Sequence, residues 1–261
     1  MASKISSEEK QPFLSHLEEL RKRLIVCAIG VGCAFFVAYF FKEGLFKLLV
    51  LPLKDVMPAG DRLIFTNLPE MFIIYLKVSF IAGILASTPL IFYELWMFIA
   101  PGLYQHEQRF VIPFVVCSSI LFTTGALFGY FIVFPFGFKF LMGYTNEYVK
   151  ALPSVKEYFS FSTKLLFAFG LVFEMPVIVF FLAKMGLVTP EAMRRKRKYA
   201  VLMAFVVGAI LTPPDVLTQF MMAVPLMVLY EVSVFVAKFA AKKKKEKAEA
   251  EAGEAGAVKE Q

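Results

Sequence analysis

Apolar residues fall along this chain in six long stretches, roughly 24–41, 71–96, 110–134, 159–183, 199–211 and 216–237, each bounded by short polar segments. A hydrocarbon core of about 30 Å takes about 20 apolar residues as helix, so the pattern predicts an all-α polytopic membrane protein of six spans over 24–237. The fifth stretch holds 13 residues, and a helix of that length reaches only about 20 Å. Fifth and sixth spans are therefore expected as a short final hairpin. Its turn, "TPPD" at 212–215, should lie below the membrane surface and form a recess.

The polar segments complete the expected organisation. Over 1–23, Phe13, Leu17, Leu20 and Leu24 share one face at helical spacing, which predicts an amphipathic helix lying along the membrane before the first span. The connection 42–70 carries apolar clusters such as "LFKLLVLPL" and is expected to cap one side of the membrane domain together with 135–158. From 238 onward the chain is charged and lacks an apolar period, ending "KKKKEKAEAEAGEAGAVKEQ", so a disordered tail with affinity for anionic lipid is expected.

Composition sharpens the class. The chain is 59% hydrophobic with 31 Phe, against about 45–50% apolar content in soluble domains. With the N-terminus cytoplasmic, 19 basic residues fall on the cytoplasmic side and 7 on the other, which predicts both termini inside. About 20 polar residues precede the first span and no small-residue cleavage site follows it, so that span, rather than a cleaved leader, is expected to direct insertion.

Little of this points to catalysis. Cys27, Cys33 and Cys117 lie inside apolar runs and pack as small hydrophobes, while His16 and His106 each sit beside polar residues with no ligand spacing. No metal, cofactor or nucleic-acid partner is expected. P-loop, G-x-S-x-G and H-E-x-x-H patterns are absent from the sequence, so no enzyme activity is expected.

A few acids stand out instead. Glu18 and Glu19 precede Arg21, Lys22 and Arg23 in "SHLEELRKRL"; Ser15 with Glu18 fits a capping box, and Glu18–Lys22 and Glu19–Arg23 are favourable i,i+4 pairs. Glu107, in "FIAPGLYQHEQR", suits the positive end of a helix dipole. Glu174, in "GLVFEMPV", lies deep in the fourth span, where an ionisable group costs several kcal/mol unless paired, protonated or watered. Pro176 beside it can kink that helix. Asp215 suits a helix N-cap, with Thr212 and Gln219 as polar neighbours able to hydrogen-bond a partner helix.

Taken in order on six spans, "HLEELRKRL", "FIAPGLYQHEQR", "GLVFEMPV" and "LTPPD" resemble the TatC family, the polytopic receptor subunit of the twin-arginine protein translocase. The resemblance covers about 12–239. It implies a protein of the bacterial cytoplasmic membrane that binds twin-arginine signal peptides of folded precursors at its cytoplasmic face. It further implies homo-oligomers, assembly with TatA- and TatB-type single-span subunits, and export driven by the proton-motive force. Carried over by motif, the signal-binding residues are Glu19, Glu107, Arg21, Phe98 and Pro101. Pro52 and Asp215 match functional positions on the external side, Glu174 matches one in the membrane, and Thr212 with Gln219 match a patch for partner helices. Gln108 departs from the pattern, in which many members carry a second basic residue. An alternative built on Glu174, a proton-coupled small-solute transporter, lacks the matching broken helices in two halves that such proteins usually show.

Overall fold

The computed structural model describes residues 10–58, 60–99, 111–145, 148, 151–211 and 216–259, with side chains for all of these except 10–15, 217 and 243–259. Among the described residues, regular secondary structure is helical apart from one isolated parallel bridge between Ile64 and Ser154, with turns and irregular connections between the helices. Glu107, Pro101, Thr212 and Asp215 lie outside the described residues, as does the expected recessed turn.

Helix α1 runs unbroken over Lys10–Phe40. The sequence suggests a separate interfacial helix that turns into the first span; the structure makes both one rod. Pro12 sits in the first turn, where its missing N–H costs little, and the Glu19–Arg23 pair bridges the expected junction. Helix α2 (Lys42–Lys54) follows in the first half of the expected cap. The second apolar stretch divides into α3 (Glu70–Ala86) and α4 (Thr88–Ile99), bent by 54°. Pro89 explains the bend, because it lacks an N–H for the preceding turn and its ring crowds the carbonyl four residues back. The Thr88 hydroxyl, donating to the Ile84 carbonyl at 3.2 Å, supports the broken turn.

The third stretch is α5 (Val111–Phe128), a π-helical turn at Gly129–Val133, and α6 (Phe134–Met142). The fourth is α7 (Val155–Phe173) and α8 (Met175–Met185), interrupted at Glu174. Gly186, at φ 86°, ends α8, and its N–H and that of Leu187 bond back to Ala183 and Leu182. A short α9 (Pro190–Arg195), capped by the Thr189 hydroxyl, leads into α10 (Arg197–Leu211), and α11 (Val216–Lys259) closes the chain.

Among the described residues, four helical segments are long and apolar enough to cross a membrane, His16–Phe40, Val111–Met142, Val155–Met185 and Thr218–Lys242, or five if the bent α3–α4 pair is one span. Helix α10, with 15 residues, reaches about 22 Å and is short, as its apolar run predicts. The last apolar run is not short: its helical segment, Thr218–Lys242, has 25 residues within α11. Helix α11 also continues to Lys259 where the sequence leads one to expect disorder; Ala, Lys and Glu, which dominate that stretch, are strong helix formers. Large apolar side chains such as Phe36, Phe131 and Phe235 stand exposed, as a lipid-facing surface requires.

The chain forms two compact units, Met1–Thr123 with Met142–Ser160, and Thr124–Leu141 with Phe161–Gln261. In the first, α1 crosses α3 at Gly83, where a Cβ would stand 2.9 Å from the Phe35 nitrogen. Only glycine permits that approach. Phe46 of α2 stacks on Phe159 at 5.1 Å and meets Tyr75 of α3 edge-on at 5.6 Å. In the second, Phe134, Phe169 and Leu165 are buried, and Val179, Ala183, Met193, Val234, Ala237 and Ala240 form one apolar cluster among α8, α9 and α11.

Candidate functional site

The acid-rich N-terminal motif becomes a defined cluster. On α1, Glu19 and Arg23 lie one turn apart and face α4. The Arg23 guanidinium donates to Glu19 Oε1 through Nε at 3.1 Å and Nη2 at 2.5 Å, and to Glu94 Oε2 through Nη1 at 3.0 Å. Side-chain exposure is 32% for Glu19, 20% for Arg23 and 13% for Glu94. Toward the N-terminal end of α1 and the C-terminal end of α4, His16 stacks on Phe98 with ring centroids 4.3 Å apart. Glu19 and Phe98, predicted from separate motifs, therefore belong to one strip.

Arg21 does not join that strip. Two residues on from Glu19, it lies on another side of α1 and lines an open hollow with Leu17, Leu20, Leu24, Ile25 and Ala28. This is the apolar face expected from the sequence, now seen with a basic residue on it. Glu94 is the residue that sequence reading misses. Its motif, "FYELWMF", looks like ordinary span residues, yet a carboxylate in an apolar helix is itself the signal that marks an intramembrane site.

On the other end of α3, a second missed carboxylate organises the expected cap. Glu70 is 5% exposed. Its Oε2 accepts the Thr66 N–H at 3.0 Å, the Asn67 N–H at 3.4 Å and the Thr66 hydroxyl at 3.3 Å. Its Oε1 accepts the Lys156 N–H at 3.0 Å and the Ser154 hydroxyl at 3.5 Å. Beside it, the Ile64 N–H donates to the Pro153 carbonyl and the Val155 N–H to the Ile64 carbonyl. Glu70 is the first residue of α3, behind Pro69 at the N-cap, and reaches back to the N–H groups ahead of the helix. The same carboxylate also clamps a loop 86 residues away. Pro52 is buried in α2, and the Tyr158 hydroxyl donates to the nearby Leu49 carbonyl.

Glu174 occupies the break between α7 and α8 and is 4% exposed. Its N–H donates to the Leu171 carbonyl at 3.1 Å and its carbonyl accepts from Ile178 at 3.0 Å. Pro176 therefore interrupts the helix beside the acid, as its sequence position predicts. Gly125 approaches the preceding turn so closely that a Cβ would lie 2.5 Å from the Phe169 carbonyl oxygen. Gln219 donates through Nε2 to the Phe205 carbonyl at 3.1 Å, joining α11 to α10 where Gly208 lets the backbones approach. Among the described residues, no group of three or more His, Cys, Asp or Glu forms a metal cluster.

Comparison with known proteins shows the family. Residues 15–225 match the family described as "Sec-independent protein translocase protein (TatC)". The protein of that name from Desulforapulum autotrophicum is 53% identical over 237 residues, covering 91% of this chain and 88% of the relative. The Escherichia coli K12 protein of the same name is 42% identical over 235 residues, covering 90% and 91%. A solved structure described as "Crystal Structure of Twin Arginine Translocase Receptor- TatC" superposes with a TM-score of 0.77 at 43% identity, covering 86% of this chain and 99% of that one. With four-fifths of its length matched by the family, and relatives this similar along nearly their whole chains, this chain belongs to the TatC family of membrane-embedded protein translocase subunits.

Proposed function

We propose that this chain is the receptor subunit of a twin-arginine translocase in the bacterial inner membrane, with six spans and both ends cytoplasmic. It binds the twin-arginine signal peptides of folded precursors and scaffolds TatA- and TatB-type subunits for proton-motive-force-driven export, itself as a homo-oligomer within that complex. The observation that carries the proposal is the partly exposed Glu19 carboxylate, whose Oε1 already accepts two N–H donors of a guanidinium, that of Arg23. An arginine pair can use that geometry, whereas a lysine pair offers only point charges. Lone exposed ion pairs give about 0–1 kcal/mol, so recognition draws on Glu19 and Glu107 together. Phe98 and Pro101 shape the second segment. The hollow beside Arg21, lined by Leu17, Leu20 and Leu24, offers apolar surface to the signal's hydrophobic stretch.

The remaining predicted residues take supporting roles in this proposal. Pro52 keeps the external cap in place, and Asp215 caps the last span. Thr212 and Gln219 meet partner helices, with the Gln219 side-chain oxygen still able to accept. Glu174, at a helix break, acts inside the membrane during transport. Crosslinking a twin-arginine signal peptide to membranes containing this protein tests the central assignment. Crosslinking should fall sharply in a double Glu19→Lys, Glu107→Lys variant; undiminished crosslinking would refute it. Replacing Thr212 and Gln219 with Leu should reduce copurification of the single-span subunits, and unchanged copurification would remove their partner role.

A further inference from the structure

We propose that Glu94 is a second guanidinium acceptor at the signal site and that Arg23 is its resident occupant, exchanged when a twin-arginine segment binds. This rests on the signal-binding reading of Glu19. The cluster holds two carboxylates and one guanidinium, so its net charge is negative. A purely structural pair would need a single acid, and a second carboxylate in a partly buried position adds desolvation cost without an added cation. Both contacts to Glu19 fall on Oε1 and the contact to Glu94 falls on Oε2. Glu19 Oε2 and Glu94 Oε1 carry no hydrogen bond among the described residues, and each can accept further N–H donors.

The neighbouring cations do not fill this deficit. Arg21 lies with the apolar hollow, and neither Arg21 nor Lys22 makes an ion pair among the described residues. Two acids with their unused oxygens call for two guanidinium groups. An incoming arginine that displaces Arg23 replaces like with like, preserving the number and type of charge-assisted bonds. A second arginine then brings the cluster to neutrality, while Arg23 swings toward its exposed side. Lysine cannot make the same exchange, because an ammonium does not reproduce the planar fork. The His16–Phe98 stack bounds the cluster with a flat aromatic surface on which a guanidinium can lie. Glu94 thus doubles the preference for arginine that Glu19 alone provides.

The test uses the full-length protein, purified in detergent, with a fluorescent signal peptide carrying either Arg-Arg or Lys-Lys. Glu94→Gln should weaken binding of the Arg-Arg peptide by about tenfold and lower the Arg-over-Lys preference, the loss expected when a charge-assisted hydrogen bond is removed. Arg23→Lys should tighten binding, because the resident fork is released while the charge is kept. If Glu94→Gln changes affinity by less than about twofold while Glu19→Gln abolishes binding, Glu94 is structural and the inference fails alone. If neither substitution alters binding, the signal-site reading fails and takes this one with it. Weaker binding in Arg23→Lys would make Arg23 a positioning residue and overturn the exchange. Should Glu94→Gln not fold, Glu94→Asp keeps the charge but shortens the reach, and its unaltered affinity would count against the inference equally.

Discussion

Replacing Gly83 with alanine tests how closely the first unit is built. An added Cβ would stand 2.9 Å from Phe35 N, 3.0 Å from Phe35 Cα and 3.3 Å from Val31 O, where carbon contacts are comfortable at about 3.5–4.0 Å. All three atoms are backbone, so no side chain can rotate away and α1 must separate from α3. Such overpacking costs about 1–3 kcal/mol. Alanine also gains about 1 kcal/mol over glycine as a helix former, which would obscure the effect in a single variant. Gly32 of α1 supplies the control, because its Cβ would meet nothing within 4 Å. The propensity gain is common to both substitutions, so the difference between Gly32→Ala and Gly83→Ala isolates strain at about 1–3 kcal/mol. Trp96, the single tryptophan and 6% exposed, reports unfolding by fluorescence during titration from mild detergent into dodecyl sulfate. Equal stability of the two variants, within about 0.5 kcal/mol, would refute the backbone contact at this crossing.

Other substitutions separate strong contacts from weak ones. Glu70→Ala, which strips a shared acceptor from Thr66, Asn67, Ser154 and Lys156, should release residues 60–68 to limited proteolysis; unchanged protection would show that the bridge at Ile64 suffices. Tyr230→Phe removes the hydroxyl that donates to the Met193 carbonyl at 2.8 Å and should cost about 0.5–1.5 kcal/mol in the same unfolding assay. Arg197→Ala breaks an ion pair with Glu231 whose side chains are 52% and 50% exposed, so the loss should stay below about 1 kcal/mol; a larger loss would reveal burial in an assembly.

The helical class was legible in the sequence because apolar runs of membrane length have few other solutions. Position within a span was harder to read. Pro89 announced the bend in the second stretch as clearly as Pro176 announced the break at Glu174, yet the apolar run around it read as continuous. Continuity of α1 was hidden for the opposite reason: its polar first turns looked like a separate surface helix, although nothing in them stops a helix. Glu19 was visible because it stands among basic residues. Glu94 and Glu70 were not, since each matters through a partner far along the chain, Arg23 at 71 residues from Glu94 and Lys156 at 86 from Glu70. Local spacing carries no trace of such pairings.

The bend at Pro89 has a mechanical meaning. An intact helix behaves as a stiff rod, passing a push at one end to the other. Here α3 is tethered through Glu70 to the loop ahead of α7, and α4 is tethered through Glu94 to α1. Between the two tethers the rod is jointed, with its axis turned by 54°. The joint lets α4 pivot about Ser87–Pro89, while α3 is held twice, by the Glu70 clamp and by its backbone contact with α1 at Gly83.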